Sequence, residues 1–299
     1  METGAVLDSF DAYEAVRHRL PSARTGGAAE PAASLADIAD SYDAFFLDAF
    51  GVLNVGETAI PGAAERMRDL RAMGKRLVVV SNAAGLPHAR LMEKYDRLGM
   101  GFAPEDVVTS RKALLAALSA EPARLWGIMA NPDLGLADLE GLDTVFLEDD
   151  PGPYAEAEGI LLVGSAVWRE TRQTMLEEAL IRRPRPVHVG NPDIAAPREG
   201  GASREPGHWA HRLADRTGAA PVFHGKPFPA IYDLAFARIG GRGARAVMVG
   251  DSLHTDVLGA HAAGVASALI TGHGLLRERD VAEAIRISGI VPDHVMPDP

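Results

Sequence analysis

The sequence predicts an α/β protein, a doubly wound parallel-sheet core interrupted by an inserted α/β cap domain. Three observations lead there. Short apolar runs alternate with helical patterns from residue 44 to 118. The alternation stops for roughly 110 residues and then returns between 246 and 270. Several of the apolar runs in both stretches end in an acid or a hydroxyl. Strands that alternate with helices make a parallel sheet, because each crossover helix covers one of its faces.

Taken in order, Asp8 to Leu20 reads as a short helix, and residues 21–33 read as a linker rich in Ala, Gly, Ser and Pro. Ser34 caps a second helix through Tyr42. Ala44–Asp48 is a buried strand ending in an acid, and Pro61 serves as a first-turn proline for a helix that Gly74 closes. Leu77–Val80 is a second strand ending in Ser81-Asn82, followed by a helix from Pro87 to Leu98. Val107–Val108 leads into a helix over Lys112–Leu118. Leu125–Met129, Gly159–Val163 and Val187–Val189 are read as cap strands. Ala246–Val249, a helix from Thr255 to Ala263 and Ala266–Ile270 complete the core. The expected organisation is an extension and linker over 1–40, a core over 41–112 plus 223–299, and a cap over 113–222.

Composition narrows the function. The 299 residues suffice for about two domains. A net charge of −11 argues against a general nucleic-acid or anionic-membrane binder. There are no cysteines, which removes disulfides, thiolate nucleophiles and Cys-ligated zinc. The N-terminal residues METGAVLDSFDAYE carry neither a basic nor an apolar leader region. Val257 to Leu276 lacks charged side chains but holds four glycines, so it reads as a helix, turn and strand rather than a membrane span. The chain is therefore expected to be soluble and cytoplasmic.

Ligands of an open parallel sheet sit outside the carboxyl ends of its strands. Asp48, Ser81, Lys226 and Asp251 all fall at such ends, with Gly51, Gly225 and Gly250 close by. Any one of them alone is most simply a loop-start or capping residue. Together, two carboxylates, an ammonium and a hydroxyl suit a divalent cation plus a phosphate.

At these residues the chain resembles the haloacid dehalogenase superfamily of aspartyl-nucleophile phosphotransferases, whose core is Rossmann-like. Asp48-Ala-Phe50-Gly-Val-Leu resembles the first motif, Ser81-Asn82 the second, Gly225-Lys226-Pro227 the third and Gly250-Asp251-Ser-Leu-His-Thr255-Asp256 the fourth. Only 33 positions separate Asp48 from Ser81, whereas 145 separate Ser81 from Lys226. A large cap in the second interval resembles the class IIA branch of nitrophenylphosphatase-like and sugar-phosphatase-like enzymes. Gly190-Asn191-Pro192-Asp193, followed by Pro197 and Gly200, is similar to that branch's cap.

The resemblance implies that Asp48 attacks phosphorus and that Mg2+ is held by Asp48, the Phe50 carbonyl and Asp251. Asp256 orients the others or adds a ligand. Ser81, the Asn82 amide and Lys226 hold phosphate oxygens, and Asn191 and Asp193 face the substrate. A plain Asn-Pro-Asp turn with no ligand duty is the close second reading of those last two. The resemblance further implies a small phosphorylated metabolite as partner, and a homodimer paired through the caps.

One position departs from the pattern. Phe50 stands where the phosphatases of this family place the acid that protonates the leaving group, a contribution typically worth ~10²–10⁴ in rate. His254, His224, His88 or a cap residue are candidate substitutes, although each histidine alone reads more simply as structural. Three readings follow in order: a magnesium-dependent phosphatase with an altered first motif; a non-catalytic or weakly active phosphate-binding descendant; and a 2-haloacid dehalogenase. The last is disfavoured because no helical cap fits between the first two motifs. His208 and His211 read as the polar face of a helix that packs Trp209. Arg182, Arg183 and Arg185 read as a solvated loop, and Glu148-Asp149-Asp150 as a solvated turn.

Overall fold

The computed structural model describes residues 8–198 and 201–299. Residues 1–7 of the expected extension, and Gly200 of the cap motif, lie outside the described residues. Seven parallel strands form the larger sheet, in the order Glu30–Pro31, His294–Met296, Ala266–Ile270, Ala246–Gly250, Ala44–Leu47, Arg76–Ser81 and Val107–Thr109. The chain runs outward from Ala44–Leu47 in one direction, returns beside it at Ala246–Gly250 and runs outward in the other. The order reverses between those two strands, at the crevice where such sheets bind ligands.

Every residue of Ala44–Leu47 and Ala246–Gly250 is buried, as expected of strands covered on both faces. Alternation sorts their side chains. Phe45, Leu47, Val79, Val247 and Val249 pack with Met67 and Leu70 of helix Ala63–Ala72 and with Leu91 and Tyr95 of helix His88–Arg97. Phe46, Val78, Val80 and Met248 face the opposite way, against Ile231, Tyr232 and Phe236 of helix Ala230–Arg238. Helices on both faces make the core doubly wound.

A second all-parallel sheet runs Val222–Phe223, Val187–Val189, Gly159–Leu162, Trp126–Met129, Thr144–Phe146. Helices Glu170–Arg182 and Pro206–Thr217 bury Leu176, Leu180, Trp209 and Leu213 against one of its faces. A hairpin, Ala195–Arg198 with Gly201–Arg204, projects from this unit. No helix among the described residues is long and apolar enough to cross a membrane.

Several expectations need correction. The linker over 21–33 contains an edge strand, Glu30–Pro31, paired with His294–Met296. Pro61 lies before the helix, whose N-cap is Gly62 at φ +80°. The helix expected from Thr255 begins instead as a π-helical turn, Leu253–Val257, with the Ser252 side chain accepting from the Thr255 amide. Arg182 and Arg183 are exposed as expected, whereas Arg185 is half-buried; the Arg183 and Arg185 guanidinia donate to carbonyls of residues 154–157, where helix Gly152–Glu156 ends. Glu148-Asp149-Asp150 is exposed as expected, and Asp149 also pairs with Arg169 and with Arg172, at 3.0 Å in the latter case.

Residues 8–40 have a defined place. Helix Ser9–Ala15 is capped by Asp8 and lays Phe10 and Tyr13 on His254, the Tyr13 and His254 rings stacking at 5.2 Å. The Tyr13 hydroxyl accepts from the Ile194 amide of the cap at 3.2 Å. Arg19 reaches Asp215 of the cap at 2.5 Å, whereas Arg24 reaches Asp293 of the core at 2.6 Å.

Candidate active site

The crevice between Ala44–Leu47 and Ala246–Gly250 is where four sequence-predicted groups meet. The Asp48 amide donates to the Val249 carbonyl at 2.8 Å, which fixes the acid at the end of its strand. Asp251 follows Gly250 directly. Asp48, Asp251 and Asp256 each offer a carboxylate oxygen within 4.8 Å of the others. Lys226 is fully buried, its ammonium 2.6 Å from Asp48 Oδ1 and 2.7 Å from Asp256 Oδ1. The other Asp256 oxygen accepts from the amides of Asp251 and Ser252 at 3.2 and 3.1 Å, so Asp256 fastens the loop that carries Asp251.

Glycine is required around Asp251. Gly51 and Gly274 both take positive φ, and a Cβ on either would come within 2.5 Å or 1.8 Å of that side chain. The acid is thus held in a pocket walled by backbone.

Burial dominates the electrostatics. It pushes the Asp48 carboxyl up to about 6, against the pull of Lys226. It pushes Asp251 well above the usual carboxylate range, and the Asp256 and Asp48 charges act in the same direction. Burial alone would depress the Lys226 ammonium, but Asp256 and Asp48 outweigh it and hold its pKa above the ordinary value. Lys226 therefore balances Asp48 and Asp256, while among the described residues the Asp251 side chain receives only the Leu275 amide, at 2.8 Å. A buried acid without its own cation, beside two further carboxylates, is a donor set that fits a hard divalent cation such as Mg2+.

Ser81 ends its strand in the same crevice, its hydroxyl accepting from the Ala83 amide at 3.3 Å. The Asn82 side chain does more than its expected backbone role. Its amide donates to the Lys226 carbonyl at 2.9 Å and to Asp193 Oδ1 of the cap at 2.8 Å, and its oxygen accepts from the Lys226 amide at 2.8 Å. Asn191 turns its oxygen to the Asp193 amide at 2.9 Å and its nitrogen to Glu205 at 3.3 Å. All these groups line one cleft of about 1160 Å³ between core and cap, as does Phe50.

The three histidines named as substitute acids do not line it. His254 is sealed under Tyr13 with Glu14 at 2.5 Å, His224 stacks on His188, and His88 lies beside Lys112. Burial lowers all three, His224 to about 4. Sequence reasoning missed the bridging role of Asn82, the place of Glu205 and the docking of Tyr13. Each joins residues far apart in the chain, and no local pattern announces them.

The comparisons with known proteins agree with this geometry. A haloacid dehalogenase-like hydrolase family matches residues 45–140, and a second family, HAD-hydrolase-like, matches residues 223–298. The chain is 30% identical to chronophin of Mus musculus over 281 residues, covering 88% of this chain and 92% of that protein. It is 25% identical to the 4-nitrophenylphosphatase of Schizosaccharomyces pombe over 276 residues, covering 85% and 91%. A solved glycerol phosphate phosphatase of Mycobacterium tuberculosis, in complex with magnesium, shares the fold at TM-score 0.70 and 24% identity, covering 87% of this chain and 76% of that one. The chain belongs to the haloacid dehalogenase-like hydrolases. Within them it is a member of the class IIA phosphatase family.

Proposed function

We propose that the protein is a magnesium-dependent phosphatase of small phosphate esters that works through an aspartyl-phosphate at Asp48. The observation that carries this reading is the convergence of Asp48, Asp251 and Asp256 with the buried Lys226 at the point where the core sheet reverses order. Asp48, the Phe50 carbonyl and Asp251 would hold Mg2+, with Asp256 keeping the Asp251 loop in register. When bound, the ion supplies charge that lets a phosphate dianion approach the acids and polarises the phosphoryl oxygens.

The other steps belong to the chain's own side chains. Lys226 counters the burial of Asp48, so at neutral pH the carboxylate is free to attack phosphorus. The Ser81 hydroxyl, the Asn82 amide and Lys226 would hold the oxygens over which charge spreads in the transition state. Asn191 and Asp193 would meet the organic part of the ester. A core over 41–112 plus 223–299 and a cap over 113–222 complete the reading, with the Val222–Phe223 strand lying across the second seam. Pairing of two copies through the caps and a cytoplasmic location belong to the same proposal.

The test is phosphate release from p-nitrophenyl phosphate and a panel of small sugar, glycerol and nucleotide phosphates, with and without magnesium. Magnesium-dependent turnover that drops by at least ~10³-fold in Asp48→Asn is the expected result. Phosphate binding without turnover in the wild type would instead favour a phosphate-binding descendant, the reading that Phe50 leaves open.

A further inference from the structure

With Phe50 in the place of the usual acid, the cleft must protonate the leaving oxygen from elsewhere. In-line attack by Asp48 from the core sends that oxygen away from the core, toward the cap. A donor has to enter from that side. Among the described residues, the cleft-lining carboxyls besides Asp48 are Glu57, Glu170, Asp193 and Glu205. Glu57 is bound to Lys94 at 3.1 Å and Arg97 at 3.2 Å, and Glu170 is held by Arg204 and Arg212. Glu205 takes the Ser203 hydroxyl at 2.6 Å and the Asn191 amide. Unlike Glu57 and Glu170, Asp193 is ion-paired with no cation among the described residues, and its Asn82 contact sets it one side chain from the phosphate-binding lysine.

We infer that Asp193, carried into the cleft by the cap, donates the leaving-group proton in this enzyme; the inference rests on the phosphatase reading above. Asn82 fixes its orientation. Oδ1 accepts the Asn82 amide at 2.8 Å, so the acid proton resides on Oδ2. The Asp193 backbone amide is tied to Asn191 Oδ1, which prevents the turn from rotating. Burial pushes the Asp193 carboxyl up to about 7; the Asn82 hydrogen bond and the Lys226 charge pull it down, and Asp48 and Glu205 add to the rise. Tyr13 is the remaining titratable group near it. An acid of that strength holds its proton near neutral pH and releases it readily.

The steps balance. As Asp48 forms its bond to phosphorus, the bridging P–O bond breaks and the Asp193 proton passes to the departing oxygen, giving a neutral alcohol. The Asp193 carboxylate then takes a proton from a water molecule as that water attacks the aspartyl-phosphate. Inorganic phosphate leaves, Asp48 returns as a carboxylate and Asp193 is reprotonated.

The experiment is single-turnover leaving-group release by wild type and Asp193→Asn with magnesium present. Glycerol phosphate, whose alkoxide must be protonated, is compared with p-nitrophenyl phosphate, whose phenolate leaves as a stable anion. Asparagine keeps a carbonyl oxygen for Asn82, so the cap contact survives. Release from glycerol phosphate should fall by ~10²–10⁴-fold, and release from p-nitrophenyl phosphate by less than ~10-fold. The wild-type rate on glycerol phosphate should decline as pH rises through about 7, and the variant should lack that decline. Equal losses on both esters, or no loss on either, would make Asp193 a docking residue only and overturn the inference. A wild type without magnesium-dependent release from either ester would overturn the phosphatase reading itself.

Discussion

The larger and the smaller sheet are both all-parallel, and their carboxyl edges face each other, yet the crevices where their strand orders reverse carry different chemistry. In the core that crevice opens to the cleft at Asp48 and Lys226, with Asp251 and Asp256 buried beside them. In the cap the order reverses between Trp126–Met129 and Gly159–Leu162, and core backbone lies against it. A Cβ on Gly164 would come within 3.3 Å of the Gly85 Cα, and one on Gly190 within 3.1 Å of Leu114 and 3.3 Å of Ala84. The same topology thus yields an acid-bearing floor in the core and, in the cap, an edge that abuts core backbone and walls the cleft with Asn131, Val163 and Gly164. In the core the strands run into Asp48 and into Gly250-Asp251, whereas in the cap Val163 and Val189 are followed by Gly164 and Gly190 and no acid comes next.

The comparison can be broken most severely at Asp251. Asp251→Asn removes the acid that lacks its own cation, and turnover should fall by at least ~10²-fold, more than the loss of an outer partner of a metal ligand. Thermal unfolding gives an independent reading. Magnesium at a hundredfold excess over its Kd should stabilise the wild type by about 2.7 kcal/mol and leave the variant unmoved. Magnesium stabilisation equal in both proteins would remove Asp251 from the metal site.

A milder change tests the seam. A Cβ at Gly225 would lie 2.6 Å from Asn82 Oδ1 and 2.7 Å from Pro192 Cδ, so Gly225→Ala presses on the Asn82 bracket from core and cap together. Overpacking of this kind costs ~1–3 kcal/mol, read as a shift in the urea midpoint. An unshifted midpoint would show that the two edges meet loosely. The smallest effect belongs to a contact outside both edges. Arg19→Ala breaks an exposed pair with Asp215 and should change stability by less than ~1 kcal/mol in the same measurement.

The contrast between the edges also explains what could be read in the sequence. The core site was legible because Phe-Phe-Leu-Asp48 and Val-Met-Val-Gly-Asp251 each set a charge directly after a run buried on both faces. Strands without that punctuation were hidden. Thr144–Phe146 is only half-buried, and Glu30–Pro31 sits in a stretch whose composition reads as linker. The half-burial of Arg185 was hidden because its partners are carbonyls, which every residue carries. Phe50 announced a missing acid, yet nothing local pointed to Asp193, because the Asn82–Asp193 bond spans 111 positions. Tyr13 was silent for the same reason: its aromatic ring reads as core, and what it packs on is set by chain geometry alone.

That helix has a mechanical consequence. An inserted domain hangs on its host by two chain crossings, and the strands of the smaller sheet begin at Trp126 and end at Phe223. A body pinned at two points still swings about the line between them, like a gate on its hinges. Tyr13 supplies a third fastening, its ring on His254 of the core and its hydroxyl on the Ile194 amide of the cap. Any swing that separates His254 from Ile194 must draw the Tyr13 hydroxyl off that amide or peel its ring from the imidazole. The latch lies one residue from Asp193, so the first increment of opening is felt at the cap's acid.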